Sequence, residues 1–438
     1  MIEQEQVVTY HTVTLGPLTR SGEAIAEIVT ENDEGQTAMQ VLHVPAGLPG
    51  ERVTIAVEAP PKPPGKRHRH WKPRPLRIWI SEIHEPSPLR VAAPCPVFGT
   101  CGGCQLQHMR YEAQLAWKQE MVTQLLREIG HFVEPPMLPI VPCDQPWHYR
   151  NHMRFSVNRN GQVGLTARGT HRVLPLSHCP IAHEQINQAL HIVSQRVNPR
   201  PQVLIRYGTA THQMLIQPEQ PPEVAQQLAK TGITLCAETM EERLCGETFR
   251  IRPSSFFQTN SAQAEKMMQM VLRGLLTLPN EQETAAPVYQ PLTVVDAYCG
   301  VGTFALLLAR YVKHVIAIEE SPSAIKDAQW NLRHVENVEI LKGKVEDVLP
   351  TLAMPLDGFV IDPPRAGCQL SVLETLLRHP AKRIVYVSCE PSTLAHDLDI
   401  LCHGQSAPVY QLRSVQPLDM FPHTAHIECV AILEYCTA

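Results

Sequence analysis

The stretch Thr293–Phe304 reads TVVDAYCGVGTF. A short β-branched run leads into a turn carrying Gly300 and Gly302, and helical spacing resumes at once in TFALLLARYV. Strand, glycine turn and helix in that order point to a parallel α/β sheet. There glycine lets the backbone turn tightly and approach a ligand at the carboxyl end of the strand. The spacing is not GxGxxG, which disfavours a dinucleotide. Three further apolar runs, HVIAIE, DGFVID and RIVYVS, alternate with the helical stretches SPSAIKDAQWNLRHV and PSTLAHDLDIL. Such alternation implies a sheet covered on both faces. Ser321 and Pro322 suit an N-cap and first turn. Two long strand-like runs, YQLRSVQPL and HIECVAILEY, close the pattern.

Chemistry-bearing residues fall at the carboxyl ends of these strands, where open α/β sheets bind ligands. Glu319 ends the strand after the glycine turn and is placed to accept hydrogen bonds from ribose hydroxyls. A glycine turn alone is equally an ordinary tight turn, but with that acid it suggests a nucleoside-type cofactor. Asp362-Pro363-Pro364-Arg365 follows DGFVID, and its prolines free the aspartate from the ladder. Cys389 ends RIVYVS just before a helix, whose N-terminus favours thiolate. A lone cysteine is usually core packing, but the ligand edge reverses that preference. Glu428, in the last strand, is a candidate partner of Cys389, a carboxylate placed to take up a proton.

Upstream, residues 7 to about 90 read as five short alternating strands separated by Gly, Pro and Asn. They suit a small β-barrel of the oligonucleotide-binding kind, with a β-sandwich as the alternative. Between Pro60 and Ser81 there is no acidic residue, while Lys62, Lys66, Arg67, Arg69, Lys72, Arg74 and Arg77 accumulate. This block is suited to cradling phosphates; taken alone, a solvated Pro-rich loop is the simpler account. RYEAQLAWKQEMVTQLLREIG has helical spacing, with Gly130 where a C-cap glycine sits. Before it come Cys95, Cys101 and Cys104 among Pro96, Gly99, Gly102 and Gly103, with Cys179 far downstream. Four thiolates hold zinc or an iron–sulfur cluster. Zinc sites usually come as two close pairs, so three plus one favours [4Fe–4S], although Cys179 is also explicable as an unrelated reduced cysteine.

Composition sets the frame. The 438 residues are too many for one compact domain. Thirteen cysteines without a basic, apolar leader argue against a disulfide framework and for a cytoplasmic protein. The net charge of −5 by itself argues against nucleic acid, but the charge is uneven.

The motifs CPVFGTCGGCQLQH, SFFQTN, VVDAYCGVGTF, VIDPPRAG, VSCEPSTLAHDL and MFPHTAHIE span essentially the whole chain. Together they resemble the RNA (uracil-5-)-methyltransferase family, specifically members with an iron–sulfur cluster and an N-terminal TRAM domain. The resemblance implies a Rossmann-like class I methyltransferase domain at 256–438, a TRAM (OB-like) β-barrel at 1–90 that binds RNA, and a central α+β iron–sulfur domain at 91–255. It implies that the helix near 110–130 packs on the catalytic domain. It further implies S-adenosylmethionine held by Gln258, Tyr298, Glu319 and Asp362, and Phe256 stacking near the target base. Cys389 is then the nucleophile, Glu428 the general base, and Cys95, Cys101, Cys104 and Cys179 the [4Fe–4S] ligands. The substrate implied is a uridine of large-subunit (23S) ribosomal RNA, with transfer RNA as the alternative, and the protein a monomer.

The residue types suit that reaction. Carbon 5 of uracil is too poor a nucleophile for a methyl sulfonium until a thiolate adds to carbon 6. A base must then remove the carbon-5 proton, and a target base in folded RNA must be flipped out. Departures from the family pattern are Glu390 after the nucleophile, where relatives often carry Asn, Thr303 in the glycine turn, and an expanded Lys62–Arg74 loop. A small-molecule or protein methyltransferase would not need Cys389 with Glu428. A non-catalytic RNA-binding iron–sulfur protein would leave the sheet edge idle.

Overall fold

Alternating apolar residues become strands, and the longer periodic stretches become helices, in the computed structural model. It describes residues 8–31, 37–59, 76–196, 200–276, 288–352, 356–404 and 408–436. Most of the basic block, Lys62 to Arg74, lies outside the described residues. No helix among those described is long and apolar enough to cross a membrane. The chain forms two compact units. One comprises Met1–Gln114, Leu165–Leu174 and His423–Ala425; the other comprises Leu115–Gly164, Pro175–Pro422 and His426–Ala438.

The first unit contains β1 (Val8–Thr14), β2 (Ala24–Glu31), β3 (Thr37–Val44), β4 (Arg52–Glu58) and β5 (Arg77–Glu85). β4 lies between β1 and β5 in an antiparallel sheet, and β2 and β3 form a hairpin. The strand period of two turns Ala24, Ala26 and Ile28 of β2 and Val53, Ile55 and Val57 of β4 into one core. A fully buried carboxylate closes this unit. Glu51 accepts Arg90 Nε at 2.5 Å and Nη2 at 2.6 Å, and also the amides of Leu48 and Ser87. Burial pushes its carboxyl up, but the Arg90 bond and the two amides outweigh that and hold it below the usual range.

Helix α1 (Tyr111–Glu128) leads toward the second unit. There follow β6 (His152–Val157), β7 (Val163–Thr166), β8 (Val173–Pro175), α2 (Glu184–Ser194), β9 (Gln202–Tyr207), β10 (Gln213–Gln217), α3 (Pro222–Ala229) and β11 (Thr234–Cys236). β9 pairs antiparallel with both β6 and β10. A hairpin of β12 (Met240–Leu244) and β13 (Glu247–Ile251) precedes α4 (Ser261–Leu275).

The α/β part then runs β14 (Gln290–Ala297), α5 (Thr303–Leu308), β15 (Val312–Glu319), α6 (Pro322–Asn331), β16 (Val338–Lys342), α7 (Val345–Val348) and β17 (Gly358–Ile361). It continues through α8 (Leu370–Arg378), β18 (Arg383–Ser388), α9 (Pro391–His403), β19 (Tyr410–Leu418) and β20 (Glu428–Tyr435). The seven-stranded sheet has the order β16-β15-β14-β17-β18-β20-β19. β14 to β18 are mutually parallel, and β20 is antiparallel to both its neighbours. The sheet is Rossmann-like, with both faces covered. In β18, Ile384 and Tyr386 enter one core with Val122, Leu125 and Leu126 of α1, while Val385 and Val387 enter the other with Met267, Met268 and Val271 of α4.

One local expectation needs correction, and another holds in position but not in bonding. Gly130 is not the left-handed cap; His131 takes that conformation, with φ 54°. Glycine is needed at 130 for close approach, because a Cβ there would sit 2.8 Å from the Leu126 carbonyl oxygen and 3.2 Å from that of Ala395. Ser321 occupies the N-cap of α6 but makes no side-chain cap bond; its amide donates instead to Glu319.

A buried ion pair ties α1 to the end of β19. Lys118 Nζ donates to Asp419 Oδ1 at 2.6 Å, with both side chains fully buried, and to the Phe421 carbonyl at 3.1 Å. Removing one partner leaves an uncompensated buried charge. Lys118→Met is therefore expected to cost about 3–5 kcal/mol, read as a lower midpoint of chemical denaturation. Lys118→Met combined with Asp419→Leu should recover most of that loss.

Candidate active site

Parallel register brings the carboxyl ends of four strands into line. Ala297 of β14 lies beside Ile318 of β15 and Ile361 of β17, and Ile361 lies beside Tyr386 of β18. The residues that follow, Tyr298 to Gly302, Glu319, Asp362 and Cys389, therefore share one edge of the sheet. The reversed strand β20 starts at that same edge. Ser388 is paired with Cys429, so Glu428 stands at the strand end next to Cys389.

The glycine turn is left-handed at Tyr298, Gly300 and Gly302, with φ of 65°, 57° and 85°. Gly302 also packs closely, since a Cβ there would sit 3.1 Å from Leu332 Cδ1, whereas the space over Gly300 is open. Glu319 braces the turn, accepting the Gly300 amide at 2.9 Å and the Ser321 amide at 2.7 Å. Beneath it Asp296, fully buried, accepts the Ala305 amide at 2.8 Å, and its Oδ1 has no partner among the described residues. Burial, reduced by the Ala305 bond and then increased by Asp362 and Glu319, holds its carboxyl well above the usual range. An open glycine face, a carboxylate at the next strand end and an orphaned buried oxygen fit a nucleoside cofactor such as S-adenosylmethionine.

Gln258 and Phe256 lie before α4. Asn151 Nδ2 donates to the Gln258 carbonyl at 3.1 Å, and Phe256 is 69% exposed. Their loop is bolted to α6, the helix after Glu319. Ser255 Oγ donates to Asp327 Oδ2 at 2.7 Å, and the hydroxyls of Ser254 and Ser323 are 2.7 Å apart. The register that unites the other candidates does not include Gln258 or Phe256.

At Cys389 the electrostatics differ from the sequence expectation. Cys389 does sit between β18 and α9, with Glu390 as the N-cap. Burial nevertheless pushes its thiol up to about 11; Glu428 and Asp362 add to the rise, and Arg365 opposes it. Burial and two carboxylates outweigh the helix terminus, so the resting group is a thiol. Glu390 is turned aside, with its carboxylate accepting Ser392 Oγ at 2.8 Å. Glu428, 2% exposed, is held well above the carboxylate range by burial and then by Asp362, with Arg365 opposing. Burial pushes Asp362 up to about 7. Arg365 was quoted within its motif but given no role, because nothing in one sequence shows which side chains face it.

All thirteen cysteines are free thiols. In the first unit, Cys95, Cys101 and Cys104 occupy one loop of tight turns, with Phe98 N–H donating to the Cys95 carbonyl and Cys101 N–H to that of Val97. Burial raises the Cys101 thiol, the Gly103 amide opposes this, and the charge of Cys95 adds to the rise. Directly after Cys104, the amides of Gln105 and Leu106 both donate to the His423 carbonyl at 3.0 Å. Three soft donors on one loop supply the donor type that a metal or an iron–sulfur cluster takes, but the described donors that gather within 4.8 Å of one another are His148, His178 and Glu184, not these thiols. In the second unit, Cys179 is buried, and its amide donates to Asn187 Oδ1 at 2.8 Å.

The fold and the edge define a class I S-adenosylmethionine-dependent methyltransferase. The profile of the tRNA (uracil-5-)-methyltransferase family matches residues 226–436. An uncharacterised RNA methyltransferase of Halalkalibacterium halodurans is 32% identical, over 96% of this chain and 96% of that one. Another, of Gloeobacter violaceus, is 33% identical over 97% and 96% respectively. The crystal structure of Pyrococcus abyssi tRNA (uracil-54, C5)-methyltransferase in complex with S-adenosyl-L-homocysteine has a TM-score of 0.67 and 23% identity, covering 97% of this chain and 100% of that one; it shares the fold. The chain belongs to the RNA (uracil-5-)-methyltransferase family and is an S-adenosylmethionine-dependent RNA methyltransferase.

Because burial holds Cys389 as a thiol, its alkylation in the free protein should follow the thiolate fraction. The rate is expected to rise about tenfold per pH unit between about pH 7 and 9. Peptide mapping after iodoacetamide reads it, and a flat rate over that range would contradict the burial-dominated balance.

Proposed function

We propose that this enzyme methylates carbon 5 of uridine in RNA through a covalent bond from Cys389 to carbon 6, with Glu428 as the base. The observation that carries this reading is the Ser388–Cys429 pairing, which puts thiol and carboxylate on adjacent strand ends, on the sheet edge that also carries the glycine turn. Once deprotonated, Cys389 sulfur bonds to carbon 6, and the electrons of the carbon 5–carbon 6 double bond pass into an enolate over carbon 5, carbon 4 and oxygen 4, able to attack through carbon 5. S-adenosylmethionine, when bound, supplies an electrophilic methyl group. Glu428 then takes the carbon-5 proton, the double bond reforms, and the thiolate leaves. Both groups must be ionised at their moment, and Arg365 is the charge that favours both forms. In this reading Gln258, Tyr298, Glu319 and Asp362 hold the cofactor and Phe256 stacks near the target base, which suits its exposure.

The same reading divides the chain into an RNA-binding TRAM β-barrel at 1–90, an iron–sulfur domain at 91–255 and the catalytic domain at 256–438. Cys95, Cys101, Cys104 and Cys179 would ligate a [4Fe–4S] cluster. By family analogy only, an iron–sulfur cluster together with a TRAM domain leans toward large-subunit ribosomal RNA over transfer RNA as substrate. Mapping 5-methyluridine in cells lacking the gene distinguishes the two.

With 5-fluorouridine RNA, the parent protein should form a covalent adduct stable to denaturing gels. Cys389→Ala should abolish both adduct and turnover, while Glu428→Gln should still form an adduct with unmodified RNA but fail to release it. Normal product from Cys389→Ala would end this mechanism. Anaerobically purified protein should be brown, with about four irons per chain, and zinc without iron would overturn the cluster while leaving the methyltransferase reading intact.

A further inference from the structure

Arg365 favours the ionised forms of both Cys389 and Glu428, yet it stands exposed on a loop after β17. The structure shows what holds that loop. Thr393, in the first turns of α9, places its hydroxyl 3.2 Å from the Arg365 carbonyl and 3.0 Å from that of Glu390. One turn on, Asp397, 2% exposed, accepts the Cys368 amide at 2.8 Å and the Tyr386 hydroxyl at 2.6 Å, both on Oδ2. Thr393 and Asp397 are four apart and lie on one face of the helix. Between the two anchored points lies Gly367, with φ 78°; a Cβ there would sit 2.9 Å from Asp397 Oδ2 and 3.2 Å from Thr393 Cβ.

The arrangement is more specific than helix–loop packing requires. A buried carboxylate is costly unless fully bonded, and apolar residues would fill the same space more simply. Here Oδ2 of the carboxylate takes its bonds from the Arg365 loop and from β18, the strand that leads into Cys389, while Oδ1 lies 3.2 Å from His396 Nδ1. Cys368 Sγ also lies 3.6 Å from the Tyr386 hydroxyl. The loop carrying the cation and the strand carrying the nucleophile are therefore joined through one oxygen.

We propose that Thr393 and Asp397 form a two-point latch that fixes Arg365 beside Cys389, and that they are positioning residues for methyl transfer. The proposal rests on the reading of Cys389 as the nucleophile. Without the latch, the Arg365 loop is free to carry its charge away from the thiol, where the interaction is weaker. The protein would remain folded and bind cofactor, but Cys389 would be harder to ionise.

The test is the pH profile of Cys389 alkylation by iodoacetamide in the full-length protein, which needs no RNA. Arg365→Gln sets the reference and should move the profile to higher pH. Thr393→Val, nearly isosteric, and Asp397→Asn should each move it the same way by about half a unit or more, a threefold or greater loss of rate at pH 8. Thr393→Ser should restore the parent profile. Added to Arg365→Gln, neither change should move the profile further, because each acts through the arginine. Thr393→Val should keep the parent melting temperature, so it decides the matter even if Asp397→Asn folds poorly. An unmoved profile in Thr393→Val, a shift that adds fully to that of Arg365→Gln, or no shift in Arg365→Gln would each overturn the latch. Failure of the catalytic reading is separate, because it appears as methylated product from Cys389→Ala whatever the alkylation profiles show.

Discussion

The pairing of Ser388 with Cys429 across β18 and β20 fixes which side chains meet at one edge of the sheet. Five parallel strands place every carboxyl end at one edge, so a further parallel strand would deliver its amino end to the opposite edge. A residue at the start of a strand reaches the active edge when that strand runs backwards, as β20 does. The reversal brings Glu428 to Cys389. It also buries the carboxylate in a sheet with both faces covered, so strand direction sets both the position of Glu428 and its raised proton affinity.

The consequence is a site poised against ionisation. Asp362 and the buried Glu428 face the half-buried thiol with charges of its own sign, so each favours the neutral forms of the others. Arg365 is the counterweight. An exposed arginine is screened and weak unless its position is fixed, which gives meaning to the hydrogen bonds around Thr393, Asp397 and Gly367. The same economy appears at the glycine turn. Glu319 spends two acceptor positions on the Gly300 and Ser321 amides, so it shapes the turn and is also the carboxylate expected beside the ribose. Its loss would deform the turn as well as remove a contact.

Much of this was legible in the sequence. The α/β alternation, the glycine turn and the strand ends carrying Glu319, Asp362 and Cys389 follow from local periodicity and turn chemistry, because a parallel strand needs an apolar run and its return helix needs an amphipathic one. The five N-terminal strands were legible for the same reason. Gly130 was misread because glycine serves two purposes, left-handed backbone and close approach, and the distinction depends on Ala395, far away in the chain. Cys389 was expected to be activated by its helix terminus, a local effect; the opposing carboxylates come from other strands.

The sequence by itself determined the type of sheet, which residues end its strands and which family the chain resembles, since these depend on residues close together in the chain. The tertiary structure alone decided that β20 runs against β18, that burial and facing carboxylates raise the Cys389 thiol, and that Asp397 takes hold of the Arg365 loop. Each of these depends on groups distant in sequence meeting in the fold. Burial and the facing charges there set proton affinity, and neither is encoded in any local pattern.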